Sequence, residues 1–111
     1  MDDCIFCKIV KGEIPASVIL ESDNVVAFKN IAPAAEHHIL VVPKLHIENF
    51  MSIGSGDTNI LSEMIEVAQA VIKKLKSDEG YKLIFNGGKF QAVNHLHWHL
   101  LGGEIDDLSK T

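Results

Sequence analysis

His95-Leu96-His97-Trp98-His99-Leu100-Leu101 alternates imidazoles with apolar residues. Alternation by two is the period of a β-strand, which sends residues i, i+2 and i+4 to one face. The run predicts a strand over 96–101 that aims three histidines one way and buries Leu96, Trp98 and Leu100 the other way. Each neutral imidazole carries one donor and one acceptor that need partners, so a row of three packs a core poorly. The same row suits holding a metal ion, or binding and attacking a phosphate. Gly102-Gly103 follow at once.

Tyr81 to Phe85 reads as the preceding strand. Asp57 to Ser77 carries Ile60, Leu61, Met64, Ile65, Ala68, Val71, Ile72 and Leu75 at helical spacing, one apolar stripe for packing. Asp57 or Thr58 is positioned to cap that helix, Lys73, Lys74 and Lys76 suit its C-terminal dipole, and Gly80 follows as a stop. His38 to Val42 is an apolar strand stopped by Pro43. Val18–Leu20 and Val25–Phe28 form a hairpin about the 21–24 turn. Cys4 to Lys11 makes a short helix ended by Gly12 and Pro15. The order is helix, three strands, long helix, two strands. Hairpin-like links favour antiparallel pairing, so the class is α+β.

The chain has 111 residues, 47% of them hydrophobic, which fits one domain spanning 1–111 with a modest core. Its formal net charge of -5 argues against nucleic acid and anionic membranes as partners. The start, Met1-Asp2-Asp3, is acidic where a signal peptide is basic, and no run of membrane-spanning length follows. A cytoplasmic location is expected, where two cysteines do not form a structural disulfide. Cys4-x-x-Cys7 is then a chelating pair or a redox pair. The βαβ context of a thioredoxin-like redox motif is missing.

The triad run, together with Cys4-Ile-Phe-Cys7-Lys-Ile-Val-Lys-Gly-Glu-Ile-Pro15 and His38-Ile-Leu-Val-Val-Pro43-Lys-Leu-His46-Ile, resembles the histidine triad (HIT) family and its nucleotide-binding (Hint) branch. The resemblance implies a five-stranded antiparallel sheet, extended to ten strands across a homodimer. It implies a phosphoramidase that releases AMP or GMP from purine nucleoside phosphoramidates. His97 would be the nucleophile toward the α-phosphorus, with His99 and His38 donating to the phosphate. His37, one residue off register, is expected at the surface. Asn86 and Gln91 would lie by the phosphate or leaving group, Asn30 by the ribose, and Phe6, Ile9, Phe28 and Ile31 around the base. Family members with the Cys pair add two histidines, here His46 and His95, to make a closed Cys2His2 structural zinc site with no organic cofactor. Other readings are a dinucleoside polyphosphate hydrolase or nucleotidyl transferase on the same histidine, and a nucleotide-binding interaction module with little turnover.

Four features depart from the family pattern. The spacing from Asn86 to Gln91 is two residues shorter than usual, Phe90 stands where a Gly precedes the Gln, and Ala92 replaces a common Ser. Asn30 stands where an acidic residue is usual.

Overall fold

The long apolar runs of the first half become strands buried on both faces, and this sets the architecture. In the computed structural model, which describes residues 3–105, the elements are α1 (Ile5–Val10), β1 (Val18–Glu21), β2 (Val25–Lys29), β3 (Ala35–Pro43), α2 (Thr58–Lys74), β4 (Tyr81–Ile84) and β5 (Trp98–Ile105). Short 3-10 turns at Phe50–Ser52, Ser55–Asp57 and Gly88–Phe90 punctuate the connections. The strands form one antiparallel sheet in the order β1-β2-β3-β5-β4. The α+β class, the five strands and both helices are as expected. Residues 1–2 and 106–111, including the acidic start and the end of the expected domain, lie outside the described residues.

One sheet face meets α2. Val25, Ala27, Ile39, Val41 and Leu100 pack there against Met64, Val67, Ala68 and Val71. Leu96 and Trp98 join the same cluster, as the alternation of the triad run requires. The other face carries Val26, Phe28, Leu40 and Val42 under Phe6 of α1. Burying each such side chain is worth about 1.5–3 kcal/mol. The middle strands therefore read as unbroken hydrophobic runs without a polar side. Glu63 of α2 clasps the β1–β2 turn, accepting from the Ser22 hydroxyl, the Asn24 N–H at 2.7 Å and the Asn24 amide at 3.0 Å.

Three expectations need correction. Neither Asp57 nor Thr58 caps α2 through its side chain. Asp57 Oδ2 accepts the Gly54 N–H instead, and the chain enters α2 from the 3-10 turn before it. The helix ends at Lys74, not Ser77, because Lys76 adopts a left-handed conformation with φ 55°. The last strand starts at Trp98, not Leu96. There His95 N–H turns back to the Val93 carbonyl, and Leu96 N–H donates to the Ile47 carbonyl across the molecule at 2.6 Å. The paired glycines after the triad have a steric reason. A Cβ on Gly102 would come within 2.7 Å of Ser77 Oγ, and Gly103 has φ +69° with its Cβ direction filled by the Glu36 carboxylate. Among the described residues no helix is long and apolar enough to cross a membrane.

Candidate functional site

Two clusters of side chains adjoin at the β3–β5 seam on the α1 side of the sheet. Register explains the first. His38 pairs with Leu101 and Leu40 with His99, so His38 and His99 share a face. Their ring centroids are 5.1 Å apart, and the His99 ring lies 5.0 Å from that of His97. His38 and His97 are buried and His99 is partly so. The edge of Phe6 leans on His97 at 5.1 Å and on Phe28 at 5.7 Å.

Hydrogen-bond partners assign the protons. His97 Nδ1 lies 2.7 Å from the His95 carbonyl, an acceptor, so Nδ1–H donates and Nε2 keeps its lone pair. The Ala34 N–H donates to His38 Nδ1 at 3.0 Å, so the proton of neutral His38 is on Nε2. That nitrogen lies 2.9 Å from His99 Nδ1, which accepts it, and His99 is left with Nε2–H as a donor. Burial lowers the proton affinity of His38 and, against the raising effect of its bond to the His95 carbonyl, of His97. Burial and then the neighbouring His97 and His38 push His99 to about 4. At neutral pH this is a set of neutral imidazoles with one lone pair and one N–H free of intramolecular duty.

The second cluster is Cys4, Cys7, His46 and His95, whose ligand atoms all lie within 4.8 Å of one another. Cys4 Sγ is 3.3 Å from His95 Nδ1, Cys7 Sγ is 3.3 Å from His46 Nδ1 and 3.6 Å from His95 Nδ1, and the two Nδ1 atoms are 3.1 Å apart. A tetrahedral zinc at ordinary bond lengths has N–N edges of about 3.3 Å and N–S edges of about 3.5 Å. The donor set fits. His95 Nε2–H donates to the Pro43 carbonyl at 2.8 Å, which leaves Nδ1 as the ligating lone pair, and fixing the other ring nitrogen in this way is typical of metal-binding histidine. Burial, with Cys4 alongside, pushes the Cys7 thiol up, so a free proton and a metal ion compete for it.

The remaining predicted residues divide. Phe6 and Phe28 form an apolar wall beside His97, with Ile9 packed against it. Ile31 is 98% exposed, apart from that wall. Asn30 turns its amide to His38, Nδ2 to Nε2 at 3.3 Å. Asn86 is exposed. Gln91 gives its amide hydrogens to the carbonyls of Glu48 at 2.7 Å and Val93 at 2.8 Å, so only Oε1 is left for a ligand. His37 lies on the opposite sheet face, half-buried beside Ser77 and Tyr81, its Nε2 3.9 Å from Glu36. Sequence reasoning missed the Ala34 N–H and the carbonyls of Pro43 and His95, because main-chain groups leave no residue-type signal.

Known proteins share this fold. Residues 3–110 match the family described as scavenger mRNA decapping enzyme C-terminal binding. Protein HitA of Neisseria gonorrhoeae is 38% identical over 107 residues, 95% of this chain and 100% of that protein. The solved structure of a HIT family hydrolase from Clostridium thermocellum superposes with a TM-score of 0.89 at 42% identity, covering 93% of this chain and 92% of that one. A histidine triad nucleotide-binding protein from Candida albicans superposes at 0.81 with 38% identity, covering 88% of this chain and 73% of that one.

Proposed function

The chain belongs to the histidine triad family, and from that premise we propose that it is a hydrolase of purine nucleoside 5'-phosphoramidates, a single HIT domain of the Hint type over 1–111. One observation carries the reading: His97 spends its Nδ1–H on the His95 carbonyl, which leaves a neutral Nε2 lone pair beside the Nε2–H of His99, while His38, expected to donate to the phosphate itself, gives its proton to His99 Nδ1 and so sets that donor. A phosphorus centre needs such a nucleophile, and its non-bridging oxygens need donors as charge builds. Nε2 attacks the α-phosphorus and the bond to the departing amine breaks, the amine leaving with a proton from solvent. Water then attacks phosphorus, the bond to Nε2 breaks, and AMP or GMP departs. Phe6 and Phe28 supply the apolar wall for the base, while Asn86 and Gln91 sit on the loop by the leaving group. The neutral state of all three histidines supports attack at neutral pH without prior loss of a proton.

Zinc is the metal whose geometry suits the Cys4, Cys7, His46 and His95 set, and four protein ligands leave no vacant position for substrate. The role of these residues is to tie α1 to the triad segment. A homodimer is the favoured assembly. The edge strand β4 leaves Tyr81 and Leu83 exposed, Phe85 just after it is exposed too, and so is Ile65 of α2 despite its place in the apolar stripe. A cytoplasmic location accords with the cysteine pair kept reduced for metal. Incubation with an adenosine 5'-phosphoramidate tests the activity. AMP release that is lost by several orders of magnitude in His97→Ala supports it, and nucleotide binding with no AMP release by the unaltered protein refutes it.

A further inference from the structure

Asn30 follows β2, and its amide faces the imidazole pair of His38 and His99. Asn30 Oδ1 accepts the Ala32 N–H at 2.9 Å, which turns the Nδ2 end toward His38 Nε2 at 3.3 Å. His38 Nδ1 is already occupied by the Ala34 N–H, so Nε2 carries the ring proton. An amide donor therefore faces a ring donor, and no hydrogen bond joins them. Turning the amide over would accept from His38 but set the NH2 group against the Ala32 N–H. No orientation of an amide serves both groups. The acceptor left for the His38 proton is His99 Nδ1, 2.9 Å away.

A carboxylate in the same place would serve both. One oxygen would keep the Ala32 N–H and the other would take the His38 proton in a charge-assisted bond. That bond would favour the imidazolium and draw the proton away from His99. We propose that Asn30 is a positioning residue: by withholding an acceptor from His38, its amide commits the Nε2 proton of His38 to His99 and so sets His99 with Nε2–H presented to the site. Its bearing on turnover rests on the phosphoramidase reading above; the proton arrangement itself does not.

Further titratable groups lie near His38 on the neighbouring strands. Among the described residues they are His99 and, behind it, His97 on β5, Lys82 on β4 across Leu101 on the same face, and Glu36 on β3. Glu36 Oε1 is engaged by the Glu104 N–H. Lys29 pairs with Ile39, on the opposite face.

Long-range proton–nitrogen NMR of the imidazoles reads the arrangement directly, on the protein as purified. At neutral pH His38 and His99 are both expected as neutral Nε2–H rings. Asn30→Asp is expected to raise the His38 titration midpoint by about one pH unit or more. Asn30→Ala, which also offers no acceptor, is expected to keep His99 as Nε2–H. Finding His99 protonated on Nδ1 in the unaltered protein, or an unchanged His38 midpoint in Asn30→Asp, overturns the proposal. Absence of AMP release while the expected ring states are observed counts against the phosphoramidase reading and leaves this one standing.

Discussion

His95 and His97 are joined by a 2.7 Å hydrogen bond from the Nδ1–H of His97 to the main-chain carbonyl of His95. The ring of His95 meanwhile belongs to the Cys4, Cys7 and His46 cluster. One residue thus contributes its side chain to the candidate metal centre and its backbone to the orientation of the proposed nucleophile. The chain leaves strand geometry before Trp98 so that both can happen.

The metal reading predicts about one zinc per chain in protein purified without chelator. Cys7→Ser and His46→Ala are expected to lose the metal. They should lower the melting temperature by roughly 4–8 °C for each kcal/mol lost, measured by calorimetry. Metal analysis that finds no zinc in the unaltered protein refutes this.

The assembly reading predicts a dimer mass by light scattering at micromolar concentration. Leu83→Asp places a charge on the exposed face of β4 and is expected to yield a folded monomer. A monomer mass for the unaltered protein contradicts it.

Stability should fall on acidification, and the sign follows from the histidines. The folded-state proton affinity of His99 lies below the ordinary value of 6.5, at about 4. The unfolded chain therefore binds more protons between these values. The contribution is fully present above pH 6.5 and is lost as pH falls toward 4. His38 and His97, shifted the same way, add to it. Urea unfolding from pH 7 to 4 measures the slope. His99→Gln is expected to flatten it, and equal slopes for both proteins would refute the assignment.

The element order and the α+β class were legible because hydrophobic period and turn residues are local signals. The side assignment of Leu96, Trp98 and Leu100 against His97 and His99 was legible for the same reason. What failed was set by distant partners. Leu96 leaves the sheet ladder for the Ile47 carbonyl, so β5 starts later than its alternation suggests. Ile65 has the spacing of a core residue yet is 48% exposed, while Val67, outside the predicted stripe, is buried, because the stripe's edges depend on which strands lie beneath. The ligand set Cys4, Cys7, His46 and His95 spans most of the chain, and only the family resemblance joined its halves. The turn of Asn30 toward His38 depends on the Ala32 and Ala34 backbone, which no side chain announces.

The central claim is that His97 Nε2 forms a covalent bond to the α-phosphorus. The direct measurement is peptide mass spectrometry after mixing with an adenosine 5'-phosphoramidate and quenching in alkali, where a phosphorus–nitrogen bond to histidine survives. An adenylyl group on His97, absent from His97→Ala, is the predicted result. AMP release with the adduct on His99 or His38, and none on His97, would contradict the account.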